Sequence, residues 1–360
     1  MSEIKSPKVT IAWLPGDGIG PEVCEATEKV FSAVCAKFQL AIELARGLVG
    51  GAAIDQTGQP LPPETLKICA SAKAILFGSV GGPKWDSLPA EQRPEVGALL
   101  PLRKKFDLFA NLRPARLEEM LAATSPLSSK IIATGFDFLV VRELTGDVYF
   151  GQKELTNAFG RDEMIYRKEE VERIARLAFT RATKRRQKVT NVDKANVLAT
   201  SQFWRKIVSE VHQKEFPEIA LEHLYIDNAT MQILVRPQDF DVILAGNLFG
   251  DILSDEASQI AGSIGLSPSA SLNAENFGLF EPMGGSAPAL AGRDLANPLA
   301  QIRSLALLFE ISLQAKEAAQ AIEAAIQQTL QAGFRTADIW QEGCQQVGTQ
   351  EMAAEIAQRI

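Results

Sequence analysis

The sequence predicts an α/β protein with a largely parallel sheet. Three observations carry this. Strand-like apolar runs alternate with helix-like runs along the chain, the pattern of successive βα units. Strand-like runs enter glycine-rich turns at LPGDGIGPE (residues 14–22) and FGSVGGPKW (residues 77–85). The length, 360 residues, is enough for two domains with large cores.

Taken in order, residues 9–14 read as a buried strand and 21–38 as an amphipathic helix with Pro21 at its first turn. Residues 74–77 form a strand, 137–142 another, 169–185 a helix and 189–192 a strand. A helix at 202–213 and strands at 220–226 and 242–245 follow. Helices then fill 249–260 and much of 298–331. No internal repeat, low-complexity stretch or clean linker interrupts this order.

Composition excludes several classes. The net charge of -7 disfavours a nucleic-acid partner. The one basic run, residues 184–188, ends an expected helix, where a cationic last turn suits the helix dipole. No apolar run nears the ~18 residues of a membrane helix. The start, MSEIKSPKVT, lacks the apolar stretch of a signal peptide. A cytoplasmic protein without membrane contact is expected. Four scattered cysteines without a C-x-x-C pair argue against a disulfide framework and a zinc site. With only His212 and His223, any metal is bound mainly by oxygen, which points to Mg²⁺ or Mn²⁺.

Four groups of residues are candidates for chemistry. LPGDGIGPE places Gly16, Gly18 and Gly20 between a strand and a helix. A tight turn and a dinucleotide loop are evenly balanced there, but the G-x-G-x-G spacing is not the G-x-G-x-x-G of a Rossmann domain, which is therefore not expected. In GNLFGDILSDEAS, Asp251 and Asp255 stand at i, i+4, on one face if the segment is helical. Such a pair either flanks a cation or belongs to a solvated acidic face. Asp227, at the end of the strand LEHLYID, supplies a third carboxylate where α/β sheets place ligands. Arg103, Arg113 and Arg142 either pair with structural acids or together clamp a dicarboxylate. Lys194, in VDKANV, and Tyr149, in GDVYFG, are candidate proton-transfer groups; taken alone, each is equally an ordinary lysine or tyrosine.

The motifs LPGDGIGPE, FGSVGGPKWD, LRKKFDLFANLRPA, VRELTGDVYFG, VDKANV, YIDNATMQ, GNLFGDILSDEAS and FEPMGGSAP, with a later ANP, resemble in the same order the isocitrate/isopropylmalate dehydrogenase family, and within it the isopropylmalate dehydrogenases. They span nearly the whole chain. The resemblance implies a two-domain fold with a large mixed, mostly parallel sheet, not Rossmann. It implies a cofactor-binding domain from residues 1–109 plus 262–360, and a central substrate and dimerisation domain at 110–261. It implies NAD-dependent, Mg²⁺- or Mn²⁺-dependent oxidative decarboxylation of 3-isopropylmalate in leucine biosynthesis by a homodimer with shared sites.

Carried onto this sequence, the resemblance makes Lys194 and Tyr149 catalytic and Asp227, Asp251 and Asp255 metal ligands. Arg103, Arg113, Arg142 and Asp227 bind substrate, with Leu99 and Leu100 lining an apolar pocket for the isopropyl group. Cofactor contacts fall on Gly78, Ser79, Val80, Gly81, Gly82, Pro83, Lys84 and Trp85, then on Gly285, Ser286, Ala287, Pro288 and Asn297. Lys194 and Asp227 would face the Asp251 and Asp255 of the other subunit.

Two positions depart from the family pattern. Asp147 stands where glycine is usual, two residues before Tyr149, and an added charge there changes the turn or tilts the tyrosine. Ala289 replaces an aspartate that accepts hydrogen bonds from the adenine-side ribose. Gly284 stands where some members carry a histidine, but glycine is also common there. A sister enzyme acting on tartrate or homoisocitrate is the nearest alternative, and Leu99 and Leu100 argue against such polar substrates. A non-catalytic regulatory subunit is the other, and the retention of every candidate catalytic and metal residue argues against it. With no basic residue nearer to position 289 than Arg293, NAD is expected, bound more weakly than an aspartate would allow. Steady-state kinetics with both dinucleotides tests this: NAD gives the higher kcat/KM, and a higher value with NADP overturns the assignment.

Overall fold

Ten strands form the large sheet where short runs are bounded by turns, and the computed structural model describes residues 9–360. The first eight residues of the stretch read for a signal peptide lie outside the described residues. In chain order the strands are β1 (Val9–Gly16), β2 (Ile42–Arg46), β3 (Ala74–Ser79), β4 (Ala110–Leu117), β5 (Phe136–Glu143), β6 (Lys188–Asp193), β7 (Ala220–Tyr225), β8 (Val242–Ala245), β9 (Pro268–Leu272) and β10 (Gly278–Pro282). The sheet is mixed and mostly parallel, as expected.

The chain divides into two units. One comprises the described residues up to Phe106 together with Ile264–Ile360; the other is Asp107–Ser263. In the first, the strand order is β2-β1-β3-β10-β9, parallel except for the last pair. This is not the Rossmann order. The helix α1 (Gly20–Phe38) returns across β1, and Trp13, Phe31 and Phe309 meet there with ring centroids 6.0 and 6.2 Å apart. In the second unit the order is β4-β5-β8-β6-β7, with β4 antiparallel to β5 and the rest parallel. Its helices are α2 (Lys168–Ala182), α3 (Ala199–Glu215), α4 (Ile226–Val235) and α5 (Asn247–Ile260). Phe179 of α2 is fully buried and stacks on Phe216 at 5.3 Å.

The structure corrects several sequence expectations. The helix expected at 169–185 ends at Ala182, so the basic run lies beyond it. Arg185 pairs with Asp137 and Asp241, each at 2.8 Å, and Arg186 donates to backbone carbonyls. These cations are held by acids and carbonyls around the sheet, not by a helix dipole. The stretch 298–331 is two helices, Leu299–Ile311 and Lys316–Gln331, separated where Gln314 takes a φ of 55°. Strands β2, β4, β9 and β10 were not expected. No described helix is long and apolar enough to cross a membrane.

Candidate active site

In the second unit, β4 and β5 pair so that Asn111 faces Arg142. Opposed residues share a sheet face, and so do residues two apart on one strand. Arg113 and Arg142 therefore project to the same side, where α5 packs. Gly250 permits that packing: a Cβ there would lie 2.8 Å from the Cβ of Arg142. Both arginines are buried, and a buried guanidinium needs anionic or carbonyl partners.

Asp251 is the chief partner. Its Oδ1 accepts from Nη1 of Arg142 and, at 3.2 Å, from Nη1 of Arg113; its Oδ2 accepts the phenol O–H of Tyr149 at 2.7 Å. Arg113 Nη1 also donates to Ser254 Oγ at 2.7 Å and to Asp255 Oδ1 at 3.1 Å. Arg142 Nε donates to Asn247 Oδ1 at 2.9 Å. Asp251 and Asp255 are thus on one helix face, and within the chain the positive group between them is Arg113.

Electrostatics follow from this crowding. Burial, the hydrogen bond to Asp251 and its charge hold the Tyr149 phenol above its ordinary range, against Arg142. The phenol therefore keeps its proton at neutral pH. Desolvation raises the Asp255 carboxyl, Arg113 opposes that, and Asp251 adds to it.

Lys194 and Asp227 make a second cluster. Lys194 follows β6, in a turn fixed by Asp193, which accepts from Ala195 N at 2.9 Å and pairs with Arg205 at 2.7 Å. Its Nζ donates to Asp227 Oδ1 at 2.6 Å. Asp227 does not end the strand as expected: β7 stops at Tyr225, and Asp227 stands in the first turn of α4, where a negative charge suits the helix N-terminus. The bond from Lys194 holds its carboxyl below the usual range. Among the described residues no group of three or more His, Cys, Asp or Glu is placed to hold a metal. The expected aspartate trio is therefore not gathered within one chain. The donor chemistry of Asp251 and Asp255, carboxylate oxygens one turn apart with neither histidine bonded to them, still fits a hard divalent cation.

The remaining candidates belong to the first unit. Arg103, in the helix Leu100–Lys105, donates to Glu281 at 3.2 Å; Leu99 and Leu100 beside it are half-exposed. The glycine motif is a tight turn that touches both candidate cofactor segments. Asp17 N donates to Ser79 O at 2.6 Å, Gly81 N donates to Asp17 Oδ2 at 2.9 Å, and Ile19 N donates to Ser286 O at 2.8 Å. A Cβ on Gly18 would fall 1.9 Å from Ser286 O, so only glycine fits. Lys84 and Trp85 both bond Asp55, at 2.5 and 3.2 Å. Asn297 accepts Leu299 N at 2.9 Å, two residues before the helix Leu299–Ile311 begins.

Sequence reasoning missed Asn247, Ser254, Asp17 and Tyr166 as supports of these groups. Asn247 had a signal, as a polar residue opening a helix just after a strand. Tyr166, in an irregular segment, had none. Asp147 is buried and holds a φ of 72°, the left-handed conformation natural to the glycine usual there.

A sequence model described as isocitrate/isopropylmalate dehydrogenase matches residues 10–356. The chain is 56% identical over 355 residues to a 3-isopropylmalate dehydrogenase of Escherichia coli K12, covering 97% of each chain. Among solved structures, it is similar to an isocitrate dehydrogenase from Methylococcus capsulatus, with a TM-score of 0.85 and 31% identity over 98% of this chain and 99% of the other. A β-decarboxylating dehydrogenase from Thermococcus kodakarensis gives a TM-score of 0.79 at 34% identity, over 98% and 96%.

The Lys194–Asp227 pair has a direct readout. Because the lysine depresses the Asp227 carboxyl, Lys194→Ala moves its titration up towards the ordinary carboxylate range, so the group gains its proton at higher pH. Carbon-detected NMR titration of metal-free protein measures this, and an unmoved titration contradicts the pairing.

Proposed function

The chain belongs to the isocitrate/isopropylmalate dehydrogenase family, and from that premise we propose that it catalyses the NAD-dependent oxidative decarboxylation of (2R,3S)-3-isopropylmalate. The products are 4-methyl-2-oxopentanoate, CO₂ and NADH, and the step is the last oxidation in leucine biosynthesis. The observation that carries this reading is the Asp251 cluster, where two buried arginines, two carboxylates and a protonated phenol converge. Such a set suits a substrate with two carboxylates that must lose one of them and then gain a proton.

Each residue has a role in the proposal. Arg103, Arg113 and Arg142 bind the substrate carboxylates by forked hydrogen bonds. Arg113 has a donor to spare, since its buried Nε has no partner among the described residues. Leu99 and Leu100 take the isopropyl group and leave a third carboxylate unpaired, which disfavours isocitrate-like substrates. Asp251 and Asp255, with Asp227 of a second copy, would hold Mg²⁺ or Mn²⁺, which would lower the pKa of the substrate hydroxyl and stabilise negative charge on its oxygen. Lys194 accepts the hydroxyl proton as hydride leaves C2 for NAD. The bond from C3 to its carboxylate then breaks, and its electrons pass to the C2 oxygen as an enolate. Tyr149 delivers a proton to C3.

The unit formed from both chain ends takes NAD in this proposal, since the glycine turn braces the segments at 78–85 and 285–288. The central unit binds substrate and forms a homodimer. Exposed apolar residues on its helices support that assembly: Met231 and Val235 on α4 are 56% and 61% exposed, and Ile252 on α5 is 51%. So does a two-stranded hairpin, Lys153–Leu155 with Gly160–Asp162, all of whose residues are exposed. An isolated hairpin is marginally stable and gains from a partner.

An NADH-formation assay over a panel of 2-hydroxy diacids, with and without EDTA, tests the reading. 3-Isopropylmalate gives the highest kcat/KM, and EDTA abolishes turnover. Lys194→Ala lowers kcat by roughly 10²–10⁴-fold. Preference for tartrate or homoisocitrate, or full activity of the lysine variant, contradicts it.

A further inference from the structure

The helix that carries Asp251 and Asp255 begins without a cap of its own. Its N-cap residue is Gly246, in extended conformation at φ -63° and ψ 173°, and it has no side chain to offer. The first backbone N–H groups of a helix have no partner within it and need one elsewhere. Here they are met from a distant loop. Leu248 N donates to Asp147 Oδ2 at 3.1 Å, and Asn247 N donates to the hydroxyl of Tyr166 at 2.7 Å. Tyr166 in turn donates to the same Asp147 Oδ2 at 3.0 Å.

Gly246 and Asp147 are sterically complementary. A Cβ at position 246 would lie 2.8 Å from the Tyr166 hydroxyl and 3.3 Å from Asp147 Oδ2. The carboxylate and phenol thus fill the space in which an ordinary N-cap side chain would stand. The placement is electrostatically sound, because a carboxylate at a helix N-terminus faces the positive end of the dipole.

The other oxygen of Asp147 ties down the turn that carries Tyr149. Oδ1 accepts Val148 N at 2.7 Å, and the backbone carbonyl of Asp147 accepts Gly151 N at 3.3 Å. Asn247 closes the circuit by donating from Nδ2 to Gly146 O at 3.2 Å while holding Arg142 through Oδ1. One side chain therefore fixes both the start of the helix bearing Asp251 and the turn bearing the phenol that bonds it.

We propose that Asp147 is a positioning residue that supplies the N-cap of the helix bearing Asp251 and Asp255 in place of the glycine at 246, and thereby sets Tyr149 against Asp251. The effect on turnover rests on the roles proposed for those three residues; the capping does not.

A double-mutant cycle separates the two parts. Asp147→Gly suits the positive φ and removes only the carboxylate. It lowers the thermal midpoint by roughly 2–4 °C and raises the Mn²⁺ concentration for half-maximal activity several-fold. It lowers kcat about tenfold, and the KM for NAD stays within twofold of wild type. Gly246→Ser alone crowds Asp147 and Tyr166 and is destabilising. In the Asp147→Gly background the Tyr166 hydroxyl has lost its tie to Asp147 and can yield to the new side chain, which restores a local cap, so the midpoint and the Mn²⁺ requirement recover while kcat stays low, because the Tyr149 turn is still untied. This change of sign is the signature of the exchange. Asp147→Asn, which tolerates the same backbone and keeps one acceptor, shifts each quantity in the same direction but less, and carries the test if the glycine variant does not fold. The proposal is overturned if Asp147→Gly matches wild type in midpoint, kcat and Mn²⁺ requirement, or if Gly246→Ser destabilises both backgrounds equally. If wild type does not turn over 3-isopropylmalate, the functional reading fails, while the thermal cycle still decides the capping.

Discussion

The carboxylate of Asp251 is the contact on which the site depends. It neutralises Arg142 and shares Arg113 with Asp255, and it accepts a hydrogen bond from the Tyr149 hydroxyl. Two guanidiniums this deeply buried are tolerable only with such a partner, since an uncompensated buried charge costs several kcal/mol, of order 3–5. Everything around it serves that meeting. The antiparallel pairing of β4 and β5 puts the arginines on one face, Gly250 lets the helix come close, and Ser254 takes a further donor of Arg113. Burial, reinforced by this contact, holds the Tyr149 phenol above its ordinary range, so it keeps the proton that the proposed protonation of carbon requires.

Parts of this arrangement were legible in the sequence. Strands β1, β3, β5 and β8 are near-continuous apolar runs, and burial on both faces makes such runs easy to read. β4 is ANLRPARL and β9 is PSASL; arginine, proline and serine disguise them as loops. Asp227 was misplaced by only one element, because ALEHLYID contains no glycine or proline and nothing marks where the strand yields to a helix. The i, i+4 pair was visible, but the arginine that lies between its carboxylates was not. That arginine arrives by a contact across 138 residues between β4 and α5, and periodicity carries no information at that range.

The departures from the family pattern were visible as residues and opaque as physics. Asp147 read as an added charge that would disturb a tyrosine. In the fold it occupies a glycine-like conformation and its carboxylate meets a helix start that lacks a capping side chain. Only the three-dimensional pairing of positions 147 and 246, 99 residues apart in sequence, gives it a role. The glycines for which a tight turn and a nucleotide loop were evenly balanced brace two neighbouring loops, through backbone contacts that leave no signature beyond the glycines themselves.

The chain holds its candidate site groups as two clusters, Asp251 with its arginines and tyrosine, and Lys194 with Asp227. In the proposed reaction the two clusters work together between two copies. Subunit mixing tests it most directly. Lys194→Ala and Asp251→Asn homodimers are each inactive, and dissociating and reassociating them together restores NADH formation from 3-isopropylmalate, because each mixed dimer contains one site with neither lesion. If the mixture stays inactive although mixed dimers are shown to form, the two clusters act within one chain and the shared-site account is wrong.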